Sequence, residues 1–265
     1  MDFQKITANL INQCLPGEIK HAYNDILTIV GPNAKQELLY SVEQYNIDNL
    51  VPIKVQDTPV IISKYNKQGS KYIDYQNSLI FSVDPIELVG LDIEPYQEKE
   101  DINVSELASL YESLKMHVSK KFAPEVTTIA VHPVADKRFA LIVSCTKYNP
   151  SNFWNGNWKS CYIYDTDSKL MEGEAAVNVH YFEDGNVKFN SSKTLDQVQT
   201  SDDYIKVIES FELEFENEMQ SSFNNLNELG FKSLRRRLPV TRSKINWGRA
   251  IGNYRLGKDA ASTGL

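Results

Sequence analysis

The residues of this chain that could do chemistry are four histidines, three cysteines and a set of closely spaced acids. The acids form pairs at Asp165/Asp167, Glu172/Glu174 and Glu183/Asp184. A carboxylate dyad works as acid and base only when burial and a shared site split its two pKa values. All three pairs are expected in turns between strands, where water solvates them alike. His21, His117, His132 and His180 lie far apart, and none makes an H-x-x-x-H pair. Cys14, Cys145 and Cys161 form no Cys-x-x-Cys pair and no disulfide framework, so reduced thiols are expected. Gly31-Pro32-Asn33-Ala34-Lys35 lacks the second glycine of a phosphate loop, and Pro32 removes a backbone donor that a phosphate would need. No G-x-G-x-x-G or G-x-S-x-G is present. The chain is therefore read as a non-enzyme, with no metal and no cofactor.

Charge is more informative. Residues 230–265 carry nine basic residues against one acid, Asp259, a net +8 that leaves −15 on the other 229 residues. A basic end on an acidic body points to an anionic partner. Lys232, Arg235 and Arg236 accompany Leu234 and Leu238 until Pro239 interrupts. Beyond Arg242, Ser243 can cap a second segment with Ile245, Trp247, Ile251, Tyr254 and Leu256 as its apolar residues. Trp247, Ile251 and Tyr254 fall at i, i+4 and i+7, on one helical face, with Lys244, Arg249, Arg255 and Lys258 supplying charge. Gly248, Gly252 and Gly257 each weaken that helix by about 1 kcal/mol relative to alanine. So short a helix is marginal alone, and docking of its apolar face in a partner's groove would explain it. Packing on its own body, or an anionic-lipid or calmodulin-binding role, fits the same pattern. Asn152-Phe-Trp-Asn-Gly-Asn-Trp158 reads as aromatic packing around an Asn155-Gly156 turn, with an aromatic ligand cage as the alternative.

The elements that must position these residues follow from periodicity. Three short helices are expected: Phe3 to Ile11, 18–30 and 34–45, the second with Ile19, Ala22, Tyr23, Ile26 and Val30 on one face. Short strands follow at Val51–Val55, Val60–Tyr65, Lys71–Tyr75 and Ser78–Val83. Residues 84–101 are acidic and read as a loop. A helix from an Asp101 cap to about Phe122 buries Leu107, Leu110, Tyr111, Leu114 and Val118. Residues 125–191 read as an antiparallel meander, with strands at 127–132, 138–148, 157–164, 175–182 and 187–190 and a hairpin at Asp184-Gly185. In its fourth strand Val177, Val179 and Tyr181 share one face, Asn178 and His180 the other. The longest helix spans 201–229, roughly 40 Å at 1.5 Å per residue, with Tyr204, Ile208, Phe211, Phe215, Met219, Phe223 and Leu226 on one stripe.

The chain has 265 residues, 42% hydrophobic and 24% charged, with a net charge of −7. That is the composition of a soluble globular protein, and the helices and strands read above make it α+β. The acidic total argues against bulk nucleic-acid binding. No apolar run approaches the ~20 residues of a membrane span, and the first residues lack a signal-peptide pattern. A cytoplasmic protein is expected.

Several stretches carry a resemblance. Phe231-Lys-Ser-Leu-Arg-Arg-Arg-Leu-Pro-Val-Thr-Arg-Ser-Lys-Ile-Asn-Trp247 resembles the C-terminal signature of F-actin-capping protein alpha subunits. Residues 152–158, Val179-His-Tyr-Phe-Glu-Asp-Gly-Asn-Val187, Pro16-Gly17-Glu18 and Gln44-Tyr45-Asn46 match in order. The resemblance implies an N-terminal helical bundle or stalk, an antiparallel sheet shared across a heterodimer with a beta subunit, a long C-terminal helix over that sheet, and a mobile amphipathic extension. The divisions it suggests are 1–50 (stalk), 51–124 (short strands, acidic loop and helix), 125–191 (antiparallel sheet), 192–238 (long helix and basic segment) and 239–265 (actin-binding extension). It further implies Ca2+-independent capping of filament barbed ends, which blocks subunit addition and loss. Lys232, Arg236 and Arg242, with Arg235 and Lys244, would meet acidic actin surface; Trp247, Ile251, Tyr254 and Leu256 would add apolar contacts. Acidic phosphoinositides are implied as competitors, and cortical actin as the location. Gly248 and Gly252 stand where family members more often carry helix-compatible residues.

Overall fold

A computed structural model describes residues 3–97, 103–149, 151, 153–182, 186–201 and 203–225. It divides into two units, 1–209 and 210–265. The first unit opens with α1 (Phe3–Asn12), α2 (Ile19–Val30) and α3 (Lys35–Asp48). Ile19, Tyr23 and Ile26 recur at helical spacing and meet Ile11, Leu38, Val42 and Tyr45 in one buried cluster. Gly31 stops α2: at φ 86° its N–H donates to Leu27 O, a left-handed cap that favours glycine. The Tyr45 hydroxyl donates to Cys14 O at 2.8 Å and ties α3 to the α1–α2 connection.

A six-stranded mixed sheet follows, built from β1 (Pro52–Val55), β2 (Thr58–Ile61), β3 (Lys67–Gln68), β4 (Lys71–Asp74), β5 (Leu79–Asp84) and β6 (Val89–Pro95) in the order β2-β1-β6-β5-β4-β3. The β1–β6 pair is parallel. Its core joins Ile53, Val55, Val60, Ile62, Tyr72 and Phe81 to Ile47 of α3. β6 corrects the expectation of a loop at 84–101. Its acids stand outward, with Glu94 3.0 Å from Lys71, while Ile93 packs on the core. The acidic composition hid a strand whose buried side is short.

Asn103, not Asp101, caps α4 (Val104–Lys121): its Oδ1 accepts from Glu106 N at 3.2 Å, and Asp101 lies outside the described residues. Leu107, Leu110, Leu114 and Val118 are buried as expected, Tyr111 only partly.

Five strands then form an antiparallel meander: β7 (Thr127–Ala135), β8 (Arg138–Asn149), β9 (Trp154–Asp165), β10 (Leu170–Tyr181) and β11 (Val187–Gln199), ordered β11-β10-β9-β8-β7. Several boundaries differ from expectation: β7 runs on to Ala135, β10 starts at Leu170 rather than 175, and two further differences have a clear physical reason. Asn155 and Gly156 lie inside β9, because Asn155 pairs with Tyr148 on one side and His180 on the other. β11 continues through Gln199 rather than ending at Asn190. Residues 191–199 are too polar to show an apolar alternation, and their strand rests on the main-chain ladder with β10. Ala130, Ala140, Ile142 and Cys161 pack with Leu50 and Ile61, joining this sheet to the preceding elements.

α5 (Tyr204–Asn225) begins in the first unit, where Tyr204 stacks on Tyr164 at 4.7 Å and Ile208 is buried. In the second unit it carries the buried side chains Phe211, Glu212 and Phe215; Phe223 is exposed. Leu226 and Gly230, the expected end of the helix, lie outside the described residues.

Candidate interaction surfaces

The residues that could have built a reactive site are placed otherwise. Asp165 Oδ1 accepts from Asp167 N at 3.0 Å and Ser168 N at 2.9 Å, a turn whose backbone donors hold its carboxyl below the usual range. Asp167 reaches Lys137 at 3.3 Å. Glu172 and Glu174 stand on β10 rather than in a turn, and Glu172 lies 3.5 Å from Arg138. Glu183 and Asp184 lie outside the described residues.

The histidines are dispersed. His117 faces Glu209 at 3.5 Å, and His132 is fully buried, its pKa pushed down to about 3 by burial. Burial likewise pushes the Cys161 thiol up to about 11. The three cysteines are free. Among the described residues no group of three or more His, Cys, Asp or Glu could hold a metal, and no helix is long and apolar enough to cross a membrane.

The stretch around Trp158 packs: Trp158 lies 5.6 Å from Phe122, and Phe153 meets Phe182 edge-on at 6.0 Å. The expected actin-binding set (Lys232, Arg235, Arg236, Arg242, Lys244, Trp247, Ile251, Tyr254 and Leu256) lies outside the described residues.

Two surfaces suited to a partner are visible in the first unit. One is β11, which among the described residues has β10 as its one neighbour in the sheet and presents 13 residues, none of them buried. A long open edge carries unpaired N–H and C=O groups that another strand can complete. The other is the side of the sheet beneath the α1–α2 connection. Cross-strand register there puts Lys159, Ala176 and Ser192 in one row, with Asn157, Asn178 and Asn190 in the next.

The connection is fastened to this face by contacts that spacing did not reveal. Glu18 pairs with His180, 162 residues later, and His180 Nε2 also meets Asn186 Oδ1 at 2.9 Å. Lys188 Nζ donates to Gln13 O at 3.0 Å. Gly17 sits so close to Tyr148 that a Cβ would lie 2.6 Å from its Cγ. Pro16-Gly17-Glu18 and the stretch containing His180, two of the motifs that carry the resemblance, thus meet in space. Gln44-Tyr45-Asn46 joins the same framework: Tyr45 bonds Cys14 O, and Asn46 Nδ2 donates to Pro85 O at 2.8 Å.

Comparison with known proteins gives these surfaces a context. The family model described as F-actin capping protein alpha subunit matches residues 7–259, which takes in the basic segment. The F-actin-capping protein subunit alpha of Saccharomyces cerevisiae is 47% identical over 262 residues, 98% of this chain and 97% of that protein. The Candida glabrata protein of the same name is 46% identical over 98% of both chains. A solved structure of the homodimeric actin capping protein alpha subunit from Plasmodium berghei shares the fold, with a TM-score of 0.71 at 21% identity, covering 89% of this chain and 96% of that one. A match from the first helix to six residues short of the last residue, with three of its motifs meeting at one junction, leaves one assignment: the chain belongs to the F-actin capping protein alpha subunit family.

Proposed function

We propose that this chain joins a beta subunit in a heterodimer that caps the barbed end of actin filaments without Ca2+, blocking subunit addition and loss and so regulating filament assembly at the cortex. The observation that carries the reading is the family match, which spans almost the entire chain and includes the +8 segment on a −15 body. No chemistry is required. The work is done by charge, which speeds encounter, and by buried apolar area, which slows release.

Each region has a part in this reading. Residues 1–50 form the stalk, 51–124 the connecting strands and helix, and 125–191 the body of the sheet, which β11 extends. The open β11 edge suits strand addition by the beta subunit, giving a sheet shared by both chains. The stacking of Tyr204 on Tyr164 supports a long helix that begins on that sheet. Within 192–238 the long helix leads into Lys232, Arg235 and Arg236, which with Arg242 and Lys244 face acidic actin. Within 239–265, Trp247, Ile251, Tyr254 and Leu256 supply the apolar grip. Acidic phosphoinositides would compete for the same cations.

The test is seeded actin elongation with the co-expressed heterodimer carrying Lys232→Glu, Arg236→Glu and Arg242→Glu. Capping affinity should fall by roughly a hundredfold or more, since charge-pair contacts are worth 2–5 kcal/mol each when one partner is lost. The heterodimer should stay intact. Unchanged capping would remove those residues from the contact, and tight binding to liposomes in place of filament ends would favour a lipid-binding tail.

A further inference from the structure

Between the α1–α2 connection and the outer half of the antiparallel sheet lies a cavity of about 450 Å3. Lys159 of β9, Asn178 of β10, and Lys188 and Asn190 of β11 line it from the sheet; Gln13 and Asn49, just past the ends of α1 and α3, line it from the other side. No carboxylate lines it, yet two ammonium groups do. Lys159 Nζ donates to Asp48 O at 2.8 Å and to Asn49 Oδ1 at 3.1 Å, and Lys188 Nζ donates to Gln13 O at 3.0 Å. All three acceptors are neutral. Among the described residues neither lysine has a carboxylate within ion-pair distance.

Lys188 is exposed, whereas Lys159 is half-buried; burial draws its ammonium below the ordinary lysine range, against the opposing pull of the Glu174 and Asp48 charges. The same face continues into buried polar atoms with no partner among the described residues: Ser144 Oγ, Asn157 Oδ1 and the Asn155 carboxamide. A half-buried ammonium hydrogen-bonded only to neutral oxygens is incompletely compensated, and an anion with hydrogen-bonding capacity completes it.

Position identifies where the anion comes from. The cavity takes two of its named lining residues from β11, the open edge, and a strand added there lies about 4.8 Å away. That is within the reach of an Asp or Glu side chain on the same face. The pairing also needs a register. Ser191, Ser192, Lys193 and Thr194 offer no apolar alternation, and two-sided polar strands slip easily. A partly buried charge pair at one position fixes register.

We propose that this cavity is a socket for a carboxylate carried by the beta subunit, seated when the partner's strand joins β11, and that Lys159 and Lys188 set the register of that joint. The inference rests on the heterodimer reading above. It assigns to these two lysines a role separate from the basic C-terminal residues that meet actin.

Two experiments on the co-expressed heterodimer test it. Carbodiimide coupling of the wild-type complex, followed by peptide mass spectrometry, should recover Lys188 or Lys159 in an amide with a beta-subunit Asp or Glu. Recovery of both lysines only uncoupled, or coupled within their own chain, would overturn the socket. In the second experiment, subunit exchange against an excess of tagged heterodimer is timed for Lys159→Gln/Lys188→Gln. Exchange should quicken by about tenfold or more, the scale of losing one partner of a desolvated pair, while Lys188→Arg stays near wild type. Unchanged exchange in the double variant would overturn the proposal. So would stabilisation of the wild-type complex, but not of the double variant, by inorganic phosphate, because that result assigns the site to a free anion. A wild-type chain that never co-purifies with a beta subunit would sink the heterodimer reading and the socket together; co-purification with unaltered exchange sinks the socket alone.

Discussion

The two edges of the five-stranded sheet are managed in opposite ways. β7 is closed: Ala130, Val131 and His132 are buried, and Gln76 Nε2 from outside the sheet donates to Val131 O at 3.0 Å. β11 is longer, with no buried residue, and among the described residues no element covers its outer side. Natural sheets cover or blunt their edges to prevent unwanted pairing. An edge left long and open on a chain that closes its other edge is suited to strand addition, which is why the proposed heterodimer joint is placed there.

The contrast can be broken most severely at β7. Val131→Asp places an unpaired carboxylate in a fully buried position and should cost about 4 kcal/mol or more. Ser191→Asp on β11, not buried within its own chain, should cost far less, about 1 kcal/mol or less even with the partner strand seated. Urea unfolding of the heterodimer compares the two, and equal losses would erase the difference between the edges.

A pH titration sharpens the same point. The folded pKa of His132 lies near 3, below its ordinary 6.5. The unfolded chain therefore binds the extra proton between those values. The stability contributed by neutral His132 is present above about pH 6.5 and is lost as pH falls towards 3, at up to about 1.4 kcal/mol per unit. His132→Gln should flatten that slope in thermal melts taken from neutral to acidic pH, whereas an unaltered slope would place the acid sensitivity elsewhere.

Smaller effects are expected where the helices meet the sheet and where one bond covers β7. Gly17→Ala drives a methyl into Tyr148 and should cost about 1–3 kcal/mol. Differential scanning calorimetry would read that, and a neutral result would mean that the connection shifts freely. Gln76→Ala removes a single hydrogen bond to Val131 O and should cost about 1 kcal/mol. Its direct reading is faster amide exchange confined to β7.

Much of the fold was legible because burial writes itself into spacing. The buried residues of α2, the α4 stripe and the run Phe139–Ser144 of β8 are apolar at the periods their elements require, apart from Ser144. What escaped was held by something other than apolar periodicity. β6 keeps its acids outward and buries little. The second half of β11 rests on backbone pairing with β10, helped by Gln199 Nε2 donating to Ser168 O at 2.9 Å. Asn155 and Gly156 resemble a turn by residue type, yet strands on both sides hold them extended. The pairing of Glu18 with His180 joins positions 162 apart that no local pattern connects. The basic segment was legible for a different reason: charge asymmetry survives in composition, and the family match covers it.

The most direct measurement is the rate of actin elongation from seeded barbed ends in the presence of the purified heterodimer. Growth should stop when heterodimer matches the number of filament ends, far below the concentration of actin monomer. Elongation that continues at its full rate with every end exposed to excess heterodimer would contradict the account.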